Sequence, residues 1–223
     1  MGAAIAAFVR HGDYHQLPGV PSAHQPFALT DEGREQARSG AEEFAAIVAE
    51  RGWRVDPVID CSRMLRAWQT AEAFADVVPG ASLESFDELA ERGLGCAANL
   101  TVDQIEEILR QDPRHDAPPP GWKADSRYRL PLQGAESLLD AGARVAAHVR
   151  RRLPEGEIVK LFVGHGAAFR HAAHHLSVLA LDRVAALSMY HGRPVFLQPG
   201  GDRAWRHIAG EWKVRAAGTE ARD

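Results

Sequence analysis

The sequence predicts a three-layer α/β/α sandwich built on a mostly parallel, mixed sheet. Three observations point there. Residues 3–9 are a short, continuously apolar run, as a strand covered on both faces must be, and the mostly apolar residues 158–163 form a second core strand. Between and after such runs lie stretches with an apolar residue at every third or fourth position, the mark of helices with one buried side. The last third carries three short segments close together, 184–189, 195–197 and 204–208, which read as closing strands, partly antiparallel. Strands alternating with helices build a sheet with helices on both faces.

Each element follows from its residues. After the first strand, residues 13–28 have no periodicity and contain Pro18, Gly19, Pro21 and Pro26, so they form a loop. Thr30 is a good N-cap, with Asp31 and Glu32 in the first turn. Ala37, Ala41, Phe44, Ala45 and Val48 then give a helix its apolar side, ending near Gly52. Residues 58–61 form a second strand that Ser62 ends. A helix over 65–78 presents Trp68, Ala71, Ala75 and Val78 on one side and stops at Pro79-Gly80. Residues 82–86 suit a weaker strand and 87–100 a loop. Thr101 and Gln104 make a capping box for a short helix with Ile105, Ile108 and Leu109 buried. Residues 137–153 form another amphipathic helix, with Leu139, Ala146, Val149 and Leu153 inward, and 167–180 the helix after the second core strand.

With 223 residues, 45% of them hydrophobic and 25% charged, the chain can bury a full core. We expect a single domain over 1–215, an insertion or lid over 96–133, and a disordered tail over 216–223. The 112–133 part of the insertion holds five prolines. The formal net charge of −4 argues against general nucleic-acid binding. No segment is apolar for long enough to cross a bilayer, and the 2–9 run lacks the basic flank of a signal peptide. Two cysteines, Cys61 and Cys96, without CxxC spacing, point to a reduced, cytoplasmic setting. The closing strands leave an edge that could pair in a homodimer.

In open α/β sheets the ligand site lies beyond the carboxyl ends of the strands. Arg10-His11-Gly12, Ser62 with its neighbours, and Gly164-His165-Gly166 all fall just past predicted strand ends. Residues distant in sequence therefore meet at one edge of the sheet. A histidine can serve as nucleophile, base or metal ligand, and arginines are planar forks suited to phosphate or carboxylate. A helix starting after His165 adds free backbone N–H groups. An arginine-rich pocket is a poor site for a metal cation, so this set favours phosphoryl transfer to a histidine, without metal or cofactor. His171, His174 and His175 do not make an HExxH motif, because Ala172 occupies the glutamate position; they read as a solvated or partly packed helix face.

The residues at these strand ends also fit a known pattern. Val9-Arg10-His11-Gly12 comes first, then Leu29-Thr30 with Gly33 and Ala37. Ser62-Arg63-Met64-Leu65-Arg66-Ala67-Trp68-Gln69-Thr70-Ala71 is close to SPLxRAxQTA. Leu89-Ala90-Glu91 with Gly95, Gly134-Ala135-Glu136-Ser137 and Val163-Gly164-His165-Gly166 follow in order. The chain thus resembles the histidine phosphatase superfamily, with its phosphoglycerate mutase-like fold, over residues 5–170. The resemblance implies that His11 is the nucleophile that forms a phosphohistidine. Arg10, Arg66, His165 and Gly12 would hold the phosphoryl group, and Glu91 would act as general acid and then base. Glu88, three residues away, is the rival acid. Asp13, Tyr14, Arg92 and Lys123 are assigned to substrate selection, within or beside the 13–28 loop and the 96–133 insertion. Trp122, Arg127 and Arg129 share the insertion.

Two departures separate the chain from the family's mutases. Leu94 stands where a mutase has a tyrosine, and no Arg-Arg pair occurs between residues 95 and 140. A mutase needs a second anion site for its bisphosphorylated intermediate. The expectation is therefore a phosphomonoesterase acting on a small phosphorylated substrate. The alternatives are phosphoglycerate mutase-type transfer, and a regulatory phosphoprotein or phosphohistidine phosphatase or binder.

Overall fold

The computed structural model describes residues 2–21, 24–201 and 204–215. In chain order its elements are β1 (Ile5–Arg10), α1 (Asp31–Arg51), β2 (Arg54–Val55), β3 (Val58–Ser62), α2 (Leu65–Ala75), β4 (Ser82–Phe86), α3 (Val102–Gln111), α4 (Leu138–Arg152), β5 (Ile158–Gly164), α5 (Gly166–His175), α6 (Leu181–Val184), β6 (Leu187–Met189), β7 (Pro194–Pro199), β8 (Trp205–Gly210) and β9 (Trp212–Val214). The main sheet runs β4-β3-β5-β1-β7-β8, with the short β2 also paired to β5. β1, β3, β4 and β5 are parallel, whereas β7 runs antiparallel to β1 and β8 to β7. This is the mixed sheet the alternation predicts. β6 and β9 form a separate antiparallel pair.

Strand parity divides the core into two layers. Ile5, Ala7 and Val9 of β1 face α1 and α2, together with Ile59, Cys61, Val159, Leu161 and Val163. Ala6 and Phe8 face the other way, with Phe162, onto Val145, Ala146 and Val149 of α4 and Phe169 and Ala172 of α5. Because β1 and β5 are buried on both faces, their sequences are apolar on both faces and not only at alternate positions, apart from Lys160 within β5 and Arg10 at the end of β1. The same parity puts Asp60, Ser62 and Lys160 on the α4 side, a point used below.

The caps hold the helices where the sequence places them. Thr30 Oγ1 accepts the Gly33 N–H, and Gly52 ends α1 in the left-handed conformation. Thr101 and Gln104 form a complete capping box, as do Ser137 and Asp140 for α4. Several expected faces are rotated. On α2, Ala67, Ala71 and Phe74 are buried and Trp68 is exposed, because Arg66 and Thr70 occupy the inner side at the site. Ile108 is exposed while Ile105 and Leu109 pack inward. On α4, Leu138 and Val145 are buried ahead of Leu139. α2 ends at Ala75, α5 ends at His175, and Val184 closes a short helix where a strand start was expected.

The insertion has a small core of its own. Leu94, Ala97, Ile105, Leu109, Trp122, Leu130 and Ala135 pack together. Residues 112–133 contain no helix or strand. The expected tail over 216–223 lies outside the described residues. Among the described residues no helix is long and apolar enough to cross a membrane.

Candidate active site

β1, β3 and β5 end side by side, and each strand end delivers one polar group. The His11 N–H donates to the Gly164 carbonyl at 3.0 Å, which stitches the end of β1 to the end of β5. The next residue must approach α1 at backbone distance. A Cβ on Gly12 would lie 2.2 Å from the Gly33 carbonyl oxygen, so both glycines serve close packing. The Gly12 N–H donates to Thr70 Oγ1 at 3.1 Å, and Thr70 Oγ1 donates to the Arg66 carbonyl at 2.8 Å. The backbone around His11 is thereby locked to α1, α2 and β5.

His11 is buried, and its ring is oriented at both nitrogens. Nδ1–H donates to the Gly12 carbonyl at 2.7 Å, leaving the Nε2 lone pair to accept from Arg66 Nε at 3.2 Å. Arg66 itself is fully buried. Its Nη1 donates to the Gln25 carbonyl at 2.7 Å and its Nη2 to His165 Nδ1 at 3.3 Å. Its guanidinium sits over the Tyr14 ring at 4.4 Å. His165 Nε2–H then donates to Ser62 Oγ at 3.0 Å. Arg10 sends Nη1 to the Met189 carbonyl, and its stem crosses Gly166. The His11 and His165 rings stand 5.0 Å apart.

Burial holds both imidazoles well below the ordinary histidine range, and the charges of Arg66 and Arg10 add to it. Neutral His11 keeps the Nε2 lone pair that a nucleophile needs. Burial also lowers the Arg66 guanidinium, partly offset by Tyr14 and Glu91. The result is an arginine whose named acceptors are two imidazole nitrogens and a carbonyl. An oxyanion placed beside His11 Nε2 would offer those N–H groups stronger acceptors.

Glu91 reaches this group from the loop after β4. It is buried, with Oε2 accepting the Ala167 N–H at 3.1 Å and Oε1 the Arg92 N–H at 3.0 Å. The Ala167 N–H, expected to be free at the start of α5, is thus taken by a carboxylate. Glu88 turns outward and pairs with Arg151 at 3.2 Å. The structure brings Arg10, His11, Gly12, Arg66, Glu91 and His165 together and leaves Glu88 outside.

The residues assigned to substrate selection are spread more widely. Asp13 points its carboxylate at Thr30 Oγ1, 2.8 Å away, on the α1 side. Tyr14 forms the wall beneath Arg66. Arg92, buried and stacked over Trp122 at 5.7 Å, lines a cleft beside Glu91, and Lys123 lines it too. Arg129 instead pairs with Asp140, and Trp122 is a core residue whose Nε1–H donates to Glu106. His171, expected on a solvated or partly packed face, is buried between Ser126 Oγ and the Ala167 carbonyl. Among the described residues no group of three or more histidines, cysteines and carboxylates is placed to hold a metal ion.

Four participants carry no role assigned from the sequence, although Ser62 falls at the converging edge. Ser62 and Thr70 sit inside the quoted α2 motif and could have been found there. Gln25 acts through its backbone carbonyl, and a carbonyl leaves no residue-type signal. His191 stacks on His11 with centroids 5.9 Å apart, held by a bridge to Arg10 from a segment with no motif.

The family model of the histidine phosphatase superfamily (branch 1) matches residues 6–206. The chain belongs to this superfamily. It is 30% identical over 194 residues to the 2,3-bisphosphoglycerate-dependent phosphoglycerate mutase of Sinorhizobium fredii, covering 84% of this chain and 86% of that protein. A similar enzyme of Rhizobium meliloti is 28% identical over 201 residues, 87% of this chain and 89% of the relative. Among solved structures, mycobacterial glucosyl-3-phosphoglycerate phosphatase superposes with a TM-score of 0.69 at 21% identity, covering 92% of this chain and 97% of that one. The α-ribazole phosphatase of Shigella flexneri gives 0.67 at 17% identity, covering 97% and 99%. These structural likenesses establish the fold. Superfamily membership sets the chemistry among phosphatases and mutases.

Proposed function

We propose that this histidine phosphatase superfamily member is a phosphomonoesterase that hydrolyses a small phosphorylated substrate through a phosphohistidine on His11. The orientation of His11 carries the reading. Nδ1 is tied to the Gly12 carbonyl, and Nε2 faces the guanidinium of Arg66 with its lone pair intact. In the first step Nε2 attacks phosphorus, the ester P–O bond breaks, and Glu91 in its acid form gives its proton to the departing alkoxide. In the second step the Glu91 carboxylate takes a proton from water. The water oxygen bonds to phosphorus, and the N–P bond breaks to release phosphate and free His11. Arg10, Arg66 and His165 hold the non-bridging oxygens throughout and stabilise the charge that develops on them. The alcohol part of the ester lies in the cleft beside Glu91, where Arg92 and Lys123 contact it.

The mutase reading draws support from the names of the bacterial relatives. Hydrolysis is favoured because Leu94, at the position of the mutase tyrosine, is buried in the core of the insertion and offers no polar group. The test is a panel of phosphate esters, with 3-phosphoglycerate and 2,3-bisphosphoglycerate assayed beside it. Phosphate release without added metal is expected, falling on the order of 10⁴-fold or more in His11→Ala. Isomerisation of 3-phosphoglycerate faster than any hydrolysis would overturn the phosphatase assignment.

A further inference from the structure

Glu91 sits on a segment that belongs to no helix or strand of the sheet. A short 3₁₀ turn, Asp87–Leu89, precedes it, and a second, Gly95–Ala97, follows. The other members of the site stand on or next to strand ends, or, for Arg66, in the first turn of α2, where regular hydrogen bonding fixes them. A loop residue asked to deliver a proton needs a different support, since misplacement by about 1 Å can cost on the order of 100-fold in rate.

That support comes from α4. Arg144 Nη1 donates to the carbonyls of Glu88 at 2.8 Å and Ala90 at 3.1 Å, with a longer contact to Asp87 at 3.4 Å. Its Nη2 donates to the Glu91 carbonyl at 3.3 Å. The same guanidinium grips Glu136 with two bonds, Nε to Oε1 at 2.9 Å and Nη2 to Oε2 at 2.7 Å. Glu136 then reaches the far side of the loop. Its Oε2 accepts the Gly93 N–H at 3.0 Å, and its own N–H donates to the Gly93 carbonyl at 2.8 Å. One guanidinium thus holds the chain at and before Glu91, and its carboxylate partner holds the chain two residues after it. Both partners are only partly buried, so a surface pair of this kind would by itself contribute little to stability. Its bonds converge on the backbone of one short segment, residues 87–93.

We infer that Arg144 and Glu136 are positioning residues for Glu91, a clamp that aims the general acid at the leaving oxygen. The inference rests on the proposed role of Glu91. It predicts a dependence on the leaving group that loss of folding would not produce. p-Nitrophenolate departs without a proton, so hydrolysis of p-nitrophenyl phosphate makes small demands on the acid. An alkoxide must be protonated as it leaves, and general acids typically contribute about 10²–10⁴-fold there.

The experiment measures kcat and KM on p-nitrophenyl phosphate and on β-glycerophosphate for the full chain, Glu91→Gln, Arg144→Met, Arg144→Lys and Glu136→Gln. Thermal unfolding is followed in parallel. The second step needs the Glu91 carboxylate whichever group has left, so the comparison is made on kcat/KM, which reports formation of the phosphohistidine. Arg144→Met should lower it by about 100-fold on β-glycerophosphate and leave it within about threefold of the parent on p-nitrophenyl phosphate. Arg144→Lys and Glu136→Gln, which each keep part of the clamp, should fall between. If Arg144→Met does not fold, Arg144→Lys is the variant read. An equal fall in kcat/KM on both substrates in a folded variant overturns the clamp while leaving the acid role of Glu91 intact, provided Glu91→Gln is itself selective for the alkyl ester in kcat/KM. If Glu91→Gln shows no such selectivity, the proposed role of Glu91 falls, and the clamp with it.

Discussion

β3 carries two buried polar residues on the same face, Asp60 and Ser62, and each belongs to a cluster built on a different plan. Around Asp60 the carboxylate is the centre. It accepts from His148 Nε2 at 2.9 Å, Arg152 Nε at 2.9 Å and Lys160 Nζ at 2.9 Å, and Glu84 pairs with the same Arg152. Around Ser62, at the strand end, the centre is Arg66, and its acceptors are His11, His165 and the Gln25 carbonyl. A carboxylate paired with an arginine and a lysine has its charge answered within the fold. A buried guanidinium that donates to two imidazoles and a carbonyl still favours an incoming anion, whose oxygens accept more strongly. The two clusters lie two residues apart along one strand, yet one holds the fold together and the other is arranged for a ligand.

Substitution at the two centres should separate these roles most widely. Asp60→Ala leaves Lys160 and Arg152 at a site that has lost its carboxylate, and removing one partner of a buried pair typically costs about 3–5 kcal/mol. Urea unfolding should report that loss, while the folded fraction hydrolyses phosphate esters at close to the parent rate. Arg66→Met should do the reverse. It removes a charge whose burial is itself unfavourable, so the unfolding midpoint should hold or rise. Activity should fall about 10²–10³-fold, as when one aimed donor is lost from a transition-state site. A stability loss in Arg66→Met as large as that in Asp60→Ala would erase the distinction.

Much of this was legible in the chain, and the reasons are specific. The apolar runs of β1 and β5 and the caps at Thr30, Thr101 and Ser137 are local signals, so the elements they define were readable. The strand-end rule then brought Arg10, His11, Arg66 and His165 to one edge. Side-chain rotation about a helix axis was less legible. Trp68 and Ile108 point outward because neighbouring positions, Arg66 and Thr70 in one case and Ile105 and Leu109 in the other, take the inner side. What supports the site was hardest to see. Arg144 works on backbone carbonyls, Gln25 works through one, and Asp60 is a charged residue inside a strand whose partners come from α4 and β5.

The second contrast is anion binding. Inorganic phosphate at about 100 times its Kd should stabilise the protein by about 2.7 kcal/mol if it binds the folded state alone. The increment should survive Asp60→Ala, measured against that variant's lower baseline, and vanish in Arg66→Met. Thermal unfolding against phosphate concentration reads both. An increment retained in Arg66→Met would move the anion site away from His11.

The effect that separates the clusters in a single titration is acid. Burial, with the charges of Arg66 and Arg10, holds His11 and His165 below their ordinary 6.5. The unfolded chain therefore takes up protons near pH 6.5 while the native pocket refuses them. Stability must fall as pH is lowered from about 6.5, by about 1.4 kcal/mol per pH unit for each histidine so held. His171, pushed down to about 4 by its burial, adds to the same window, so the difference between the parent and His165→Asn isolates the pocket's share. Asp60 acts in the same direction but in a lower window. Burial raises its carboxyl, but hydrogen bonds from His148, Arg152 and Lys160 outweigh that and hold it below the ordinary 3.8. Its contribution is present above about pH 3.8 and is lost only as pH falls through its lower native value. Urea midpoints from pH 7 to pH 3 should show a first decline that is shallower in His165→Asn, and that flattens in saturating phosphate because a bound anion lets the imidazoles accept protons. A decline that starts only below pH 4, or that phosphate leaves unchanged, would mean that the two histidines titrate as ordinary surface groups and that the pocket carries no excess of positive charge.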